Sequence, residues 1–252
     1  MGVFLDAGNL FLRLTSLIMM KYILLLVSIL ALCLVSPNQA SIWQLEDQQL
    51  VNENDFQEFK SGFLVTTASS ADFDDDGKLE CLELSGDVLQ ITNCDNQVFW
   101  QSPISWQVKE AQITDLNRDG MDEVTLVVWR PFQPWPIDRF LPSAGRINDF
   151  HDQNGMSCHV ILIGWARQDY NELWAGSALI RPVSRLRAVD LDGDGLQEMV
   201  ALEEIYDAAI SVGALTIWHW SGFGFSLMDK VEGKFRQIDV IGSPIQNWVF
   251  TR

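Results

Sequence analysis

Beyond residue 40 the chain alternates between short apolar runs and short polar turns. Val88–Ile91, Glu123–Trp129 and Glu198–Glu203 are such runs, and they are rich in β-branched residues. Runs of this length and composition are typical of strands rather than of amphipathic helices. Turn residues such as Ser85-Gly86-Asp87 separate them. The pattern therefore predicts an all-β fold.

The N-terminal region has a different pattern. Residues 22–35 form an apolar run of 14 that follows a lysine and leads through small and polar residues to Ala40. This is typical of a secretory signal, whereas a membrane-spanning helix needs about 20 apolar residues. We expect residues 1–40 to be a signal peptide, with the true start at Met19 or Met20, and the protein to be secreted, periplasmic or at the cell surface. An uncleaved membrane anchor is the alternative.

A nine-residue acidic motif recurs along the chain. The pattern D-x-[DN]-x-D-G-x-x-E occupies residues 72–80 (loop 1), 115–123 (loop 2) and 190–198 (loop 3). A fourth, decayed copy aligns Phe235–Ile238 with the strand before loop 3, and keeps only the leading acid, Asp239. Successive leading acids lie 43, 75 and 49 residues apart, which is the scale of propeller blades.

The motif offers the oxygen ligands of a calcium site. Ca²⁺ takes about six to eight oxygens, which positions 1, 3 and 5, the carbonyl of position 7 and the acid at position 9 would supply around a turn at the glycine of position 6. Mg²⁺ requires a smaller octahedral site and fits less well. Loop 2 has an amide at position 3, so we expect it to bind most weakly. The predicted ligands of up to three Ca²⁺ ions are Asp72, Asp74, Asp76, Lys78 and Glu80; Asp115, Asn117, Asp119, Met121 and Glu123; and Asp190, Asp192, Asp194, Leu196 and Glu198.

Two other interpretations of these loops agree less well with their residues. An EF-hand needs Glu at position 12 and flanking helices, but position 12 is Glu83, Leu126 and Ala201, and the segments that follow are strand-like. The loops could also be solvated turns, because Asp-Gly favours turns. Three copies with identical internal spacing favour metal binding instead.

Each loop lies within a repeated unit of four predicted strands. One strand leads into the loop, a second leaves it, and two more follow. In the last unit, Ser41–Gln44 is expected to serve as the outer strand beside Asn247–Thr251, which would close a ring and remove exposed sheet edges. We expect a β-propeller of about four blades, or an open partial propeller. The predicted fourth strands are Val98–Trp100, Glu172–Trp174 and Phe223–Phe225.

The succession of acidic loop and strand resembles the FG-GAP/VCBS repeats of integrin-α-like β-propellers, over most of residues 60–245. In that family such loops bind calcium within each blade and stiffen it. The resemblance implies the same ligands at positions 1, 3, 5 and 9 of loops 1 to 3. The chain has no clear Phe-Gly…Gly-Ala-Pro signature, and about four blades is a low number for the family, so the resemblance implies calcium rather than a particular partner.

The balance of charge narrows the choice of partners. The chain has 34 acidic and 17 basic side chains and a formal charge of −17. Nucleic acid is excluded as the main partner, because phosphate backbones are bound by clustered Lys and Arg. An acidic surface suits divalent cations or basic partners. Hydrophobic residues make up 48% of the chain, which is enough for a packed core.

The cysteines are consistent with an oxidising compartment. Cys81 and Cys94 flank a predicted hairpin that turns at Ser85–Asp87, and we expect them to form a disulfide bond. Cys158 is left over. We expect it to be a buried thiol rather than a nucleophile.

The 75-residue interval between the leading acids of loops 2 and 3 contains an insertion at residues 131–157. A loop of that length is usually functional or disordered, so we expect it either to form a ligand-binding surface or to fold back and cap a blade. The residues expected to contact a ligand are Trp135, Arg139, Arg146, Asp149 and His151.

The ten tryptophans allow two interpretations. We favour packing between blades over a sugar-stacking surface. The packing set is Trp100, Trp174, Trp218 and Trp220, and the set that would stack on sugars is Trp106, Trp129, Trp135 and Trp165.

These observations predict an exported, calcium-binding β-propeller that acts as a binding or scaffold module for a protein or glycan ligand. No enzymatic activity is expected, since no Ser or Cys nucleophile pattern accompanies Asp149 and His151, and His159 and His219 lie in predicted strands. The alternative is a carbohydrate-active enzyme, a polysaccharide lyase or hydrolase, on the same scaffold. Contact with a membrane is expected only if the signal segment is not cleaved.

Overall fold

The computed structural model describes residues 40–53, 63–65, 68–141, 149–207, 213–242 and 246–252. The predicted signal peptide, apart from Ala40, and Arg146 of the insertion lie outside these residues. Within them the chain forms 17 strands and one short 3-10 helix, Pro136–Phe140. The prediction of an all-β fold is confirmed. No described helix has the length and hydropathy of a membrane span.

Three of the four antiparallel sheets are formed by strands that follow one another along the chain. We call them sheets I, II and III. Sheet I contains β4 (Ser70–Ala71), β5 (Glu80–Ser85), β6 (Val88–Thr92) and β7 (Val98–Gln101); sheet II contains β8 (Gln107–Thr114), β9 (Glu123–Pro131), β10 (Met156–Ala166) and β11 (Asp169–Ala175); sheet III contains β12 (Val183–Val189), β13 (Glu198–Glu203), β14 (Gly213–Trp220) and β15 (Phe225–Gly233).

Sheet IV joins strands from both ends of the described chain. Its order is β2 (Gln49–Asn52), β1 (Ser41–Glu46), β17 (Asn247–Thr251), β16 (Ile238–Gly242) and β3 (Phe63–Leu64). The predicted pairing of the N-terminal segment with Asn247–Thr251 is confirmed, with Ser41 opposite Thr251. The predicted place of the N-terminal segment as the outer strand is wrong, because β1 turns back and adds β2 outside itself. Asp47 and Gln48, which form this turn, both have positive φ.

Two predicted strand positions differ from the structure. The strand predicted at Phe235–Ile238 is β16, which begins at Ile238, so Asp239 lies inside a strand and does not open a loop. The decayed copy has lost the glycine and acids that form the turn, and apolar Val240 and Ile241 extend the strand instead. The strand predicted at Phe223–Phe225 starts only at Phe225. Phe223 is 90% exposed in the preceding turn.

The core consists of three apolar clusters between successive sheets. The clusters lie between sheets I and II, II and III, and III and IV. On β9, Leu126 and Val128 belong to the first cluster and Val127 to the second, because successive side chains of a strand point to opposite faces. Sheets II and III are therefore buried on both faces, which accounts for the continuous apolar runs in their central strands. The described residues form no such cluster between sheets IV and I, and ring closure stays a prediction.

The predicted hairpin and disulfide bond are confirmed. Ser85 of β5 pairs with Val88 of β6 across a tight turn, and Cys81 is bonded to Cys94 just beyond the end of β6. The other described cysteine, Cys158, is fully buried. Burial raises the pKa of its thiol to about 12, so the thiol is protonated at neutral pH and is a poor nucleophile.

The tryptophan prediction is largely confirmed. Trp100 packs against the first core cluster, and Trp174 and Trp218 pack against the second. Trp220 makes edge contacts with Trp174 and Phe225. Trp129, from the proposed sugar-stacking set, instead packs against the second cluster.

The stacked sheets predict unequal effects of two leucines on neighbouring strands of sheet III. Leu215 on β14 is fully buried in the third cluster, whereas Leu227 on β15 is 47% exposed. Leu215→Ala is expected to lower the free energy of unfolding by about 2–5 kcal/mol through the cavity that it leaves. Leu227→Ala, the matched control, is expected to cost less than about 1 kcal/mol. Urea unfolding measures both, and equal losses would contradict the assigned packing.

Candidate metal sites

The three acidic loops adopt one backbone conformation. Each connects the first strand of a sheet to the second. The glycines at position 6 have φ of 84–86°, a left-handed conformation that residues with a Cβ adopt rarely. Position 4 is left-handed as well. The residues at position 4 are Asp75, Arg118 and Gly193, and those at position 6 are Gly77, Gly120 and Gly195.

Hydrogen bonds within each loop turn the acidic side chains toward a common centre. The N–H of position 6 donates to the carboxylate of position 1, at 2.8–3.2 Å. The N–H of position 5 donates to the side-chain oxygen of position 3, at 3.0–3.2 Å. The N–H of position 7 donates to the carboxylate of position 5, at 2.7–2.9 Å. The bonds to positions 3 and 5 are Asx turns, in which an Asp or Asn side chain bonds to the backbone two residues further on.

In each loop three carboxylate oxygens lie within 4.8 Å of one another. Such a separation is close to what a cation with oxygen ligands at about 2.3–2.6 Å requires. Like charges this close repel, so a divalent cation between them would remove an unfavourable interaction. The clusters are Asp72, Asp74 and Glu80; Asp115, Asp119 and Glu123; and Asp190, Asp192 and Asp194.

The glutamate at position 9 is the buried member of each loop. Glu80, Glu123 and Glu198 are 4%, 1% and 1% exposed. One carboxylate oxygen of each accepts the N–H of position 2, at 2.8–2.9 Å. This bond closes the loop onto the start of the following strand.

Glu123 shows best that a metal fits. Its Oε1 accepts hydrogen bonds from Thr114 Oγ1 at 2.7 Å and from the N–H of Leu116 at 2.8 Å. Its Oε2 is buried and has no hydrogen-bond partner. A buried carboxylate oxygen is rarely left without a partner, and a cation in loop 2 would supply one.

The electrostatics of the glutamates follow from their burial. Burial raises the pKa of Glu123 and Glu198 to about 7, against the lowering effect of their hydrogen bonds. Burial also raises the pKa of Glu80, and the carboxylates of Asp74 and Asp72 add to the effect. These carboxyls therefore hold protons more tightly than exposed ones do, and a bound cation would compete with the proton.

Loop 3 differs from the others through a contact that the sequence did not predict. Arg118 of loop 2 reaches across to loop 3, and its Nη2 lies 2.8 Å from Glu198 Oε1. Glu198 is absent from the carboxylate cluster of its own loop. In addition, the N–H of Asp115 donates to Gln197 Oε1 at 2.9 Å. The two loops are therefore connected directly, and Arg118 already compensates one of the predicted ligands.

Other predicted ligands make contacts that bear on metal binding. Lys78 forms an exposed ion pair with Asp76 at 2.7 Å, which lowers the pKa of that aspartate. The Asn117 amide donates to Asp119 Oδ2 at 3.0 Å, in accord with a weaker loop 2. The side chains of Met121 and Leu196 are exposed, so only the backbone carbonyls of these residues could take part.

Three of the four described insertion residues that were predicted to contact a ligand are exposed. Trp135 is 57% exposed, and Arg139 and Asp149 are exposed on either side of the residues left undescribed. His151 packs against Phe132, with ring centroids 5.1 Å apart, and its Nδ1 bonds to the carbonyl of Asp152 at 2.7 Å.

A comparison of the chain with protein-family models finds no match, and a comparison with curated proteins finds none.

The raised pKa values predict how the metal-free protein responds to pH. A carboxyl with a folded-state pKa of about 7 and an ordinary value of 4.5 stabilises the fold below pH 4.5, and this contribution is lost as the pH rises to 7. Ionisation of Glu123 is therefore expected to lower the free energy of unfolding by about 1–3 kcal/mol as the pH rises from 4.5 to 7. Urea unfolding in chelator at pH 5 and pH 8 measures the loss.

Variants at one buried and one exposed glutamate isolate this effect. Glu123→Gln is expected to reduce the loss of stability between pH 5 and pH 8, because the amide does not titrate. Glu46→Gln, at an exposed position of β1, is the control and is expected to leave the loss unchanged. Identical pH dependence in all three proteins would show that Glu123 does not titrate in this range.

Proposed function

We propose that the three acidic loops each bind a Ca²⁺ ion and that these ions stabilise a β-propeller of about four blades. The observation that carries the proposal is the set of hydrogen bonds common to loops 1, 2 and 3, together with three carboxylate oxygens that converge within 4.8 Å in each loop. The buried Glu123 Oε2 without a hydrogen-bond partner supports it. The ligands are oxygens alone and come from an open loop, which suits Ca²⁺ better than Mg²⁺ or a transition metal.

The position of the loops explains how the ions would stabilise the fold. Each loop lies where the first strand of a sheet turns into the second. The first strands are neighbours, since β8 contacts β12 and β12 contacts β16. Loops 2 and 3 are bonded through Arg118, and Asn247 of sheet IV donates to the carbonyl of Asp190 at 2.8 Å. An ion that orders one loop would therefore also order its junction with the next sheet.

The propeller is the arrangement that best combines the repeats with sheet IV. Sheets I to III repeat one four-strand plan, and sheet IV completes the same plan with β16 and β17 from one end of the chain and β1 and β2 from the other. Strand addition of this kind protects the edges of both terminal segments. The resemblance to FG-GAP/VCBS repeats points to the same architecture.

We further propose that the protein is exported and acts as a binding or scaffold module rather than as an enzyme. The Cys81–Cys94 disulfide bond supports an oxidising compartment, since such bonds are rare in the cytosol, and the predicted signal peptide accords with it. Ser157 and His159 form the described hydrogen-bonded pair closest to a nucleophile and base, at 2.8 Å. Ser157 is fully buried, and burial lowers the pKa of His159 to about 4, which favours a structural role.

Calcium is expected to raise the midpoint of thermal unfolding. A ligand that binds only the folded state at about 100 times its Kd adds about 2.7 kcal/mol per site. Differential scanning calorimetry with calcium, magnesium or chelator measures the shift, and calcium is expected to give the largest midpoint. Equal midpoints at saturating calcium and in chelator would refute the proposal.

Alanine variants assign the shift to a loop. Asp190→Ala and Asp194→Ala remove ligands of loop 3, and each is expected to reduce the calcium-induced shift by about one third, the share of one site among three. Asp239→Ala changes the matching acid of the decayed copy, inside β16, and is expected to leave the shift unchanged. The shift rather than the absolute midpoint is compared, because Asp190 also accepts hydrogen bonds from Gly193 and Gly195.

A further inference from the structure

A cavity of about 540 Å³ lies beside sheet II, away from the acidic loops. Its size falls within the range of small-molecule sites, about 300–1,000 Å³. Four segments line it: the turn before β8, the end of β9 with the start of the insertion, His159 on β10, and the residues after β11. The lining residues that matter for recognition are Ser105, Trp106, Arg130, Gln133, Trp135 and Ser177.

Arg130 is the charged group of this cavity. It is half-buried, and its guanidinium carbon lies 5.8 Å from the centroid of the Trp106 ring. Burial lowers the pKa of Arg130, and the charge of Glu172 opposes this effect. Within the described structure the guanidinium has one side-chain polar neighbour, His159, whose Nδ1 lies 3.4 Å from Arg130 Nη2. No carboxylate of the described residues lies within ion-pair distance of it.

This arrangement is unusual within the molecule. Arg118, Arg181 and Arg187, which are also partly buried, each form an ion pair with a glutamate, at 2.7–3.1 Å. Acidic side chains outnumber basic ones 34 to 17 in the chain, yet none is among the described residues that line the cavity. A partly desolvated cation without a counter-ion is unfavourable. An anionic group bound in the cavity would compensate it.

His159 does not supply a second charge to the cavity. It is 5% exposed, and its Nδ1 lies 2.9 Å from the carbonyl of Gly176 while its Nε2 lies 2.8 Å from Ser157 Oγ. The carbonyl can only accept, so Nδ1 carries the proton and Nε2 accepts from the serine hydroxyl. The ring is neutral and fixed, and Arg130 alone provides positive charge among the described lining residues.

We propose that this cavity binds a sugar that carries a carboxylate, such as a uronic acid unit of a glycan. The planar guanidinium of Arg130 matches a carboxylate through two parallel hydrogen bonds. Trp135, which is 57% exposed at the rim, offers an apolar surface for the sugar ring, as amphipathic aromatic side chains do in binding sites. Ser105, Gln133 and Ser177 offer hydroxyl and amide groups for the sugar hydroxyls.

This inference rests on the proposed role as a binding module and names its ligand class, but it does not depend on calcium binding. Of the four tryptophans considered for sugar stacking, Trp135 lines the rim of the cavity, and Trp106 lines its wall as a buried member of the first core cluster. Trp129 packs against the core and Trp165 against Tyr170. A simple anion would satisfy Arg130 but would leave the aromatic walls and most of the volume unused.

Isothermal titration calorimetry of the exported chain in calcium tests the proposal with three probes. These are digalacturonic acid, the neutral disaccharide of the same linkage, and sodium acetate. We expect digalacturonic acid to bind at least about tenfold more tightly than either of the others, because only it offers both a carboxylate and a ring. Equal binding of the neutral disaccharide, equal binding of acetate, or no binding of digalacturonic acid up to about 10 mM would each overturn the proposal.

Variants locate the binding in the cavity. Arg130→Gln and Trp135→Ala are each expected to weaken the binding of digalacturonic acid by about tenfold or more. Arg185→Gln, at an exposed arginine of β12, is the matched control and should bind as the unchanged protein does. Trp135 lies on the exposed rim, so Trp135→Ala keeps the test open if Arg130→Gln does not fold. Unchanged affinity in a folded variant would overturn the assignment.

The calcium-induced shift in unfolding midpoint, measured on the same variants, separates this proposal from the metal sites. Arg130→Gln and Trp135→Ala are expected to keep the full shift, since both residues lie outside the acidic loops. If calcium shifts the unfolding midpoint of none of these proteins but digalacturonic acid still binds, the metal sites are refuted and the cavity assignment stands. If calcium shifts the midpoint but digalacturonic acid does not bind, the cavity assignment is refuted and the metal sites stand.

Discussion

The interaction on which the structure depends is the hydrogen bond from the second residue of each acidic loop to the buried glutamate at its ninth position. Its length is 2.8–2.9 Å in all three loops. It holds each loop against the start of the second strand of its sheet. The same glutamates bring negative charge into the protein interior, where it is unfavourable without compensation. One buried carboxylate thus closes each loop, and a cation would compensate its charge.

The loops are coupled to the packing of the sheets because they lie at the same junctions. Sheets II and III are buried on both faces, so their central strands cannot shift without disturbing two apolar clusters. Arg118 and Asn247 carry this coupling from loop 2 to loop 3 and from loop 3 to sheet IV. Local order in a loop and order between sheets therefore support each other.

Two arginines show how an acidic chain distributes its few positive charges. Arg118 is used internally, as a counter-ion for Glu198. Arg130 is held over Trp106 in a cavity without an acidic neighbour among its described lining residues. The first replaces part of what a metal would supply to loop 3, and the second leaves a positive charge available at the surface. One arginine therefore reduces the negative charge available to a cation, whereas the other offers positive charge to an anion.

The sequence alone determined the all-β class, the three loops and the hairpin with its disulfide bond, because each depends on residues close together in the chain. Turn formation by Asp and Gly and the alternation of strand faces are local properties. The tertiary structure decided the rest. Long-range pairing places β2 outside β1 and Asp239 within a strand. It also brings Arg118 to Glu198. Trp106, Arg130 and Ser177 line one cavity because separate segments of the chain contact each other there, and local sequence patterns do not predict such contacts.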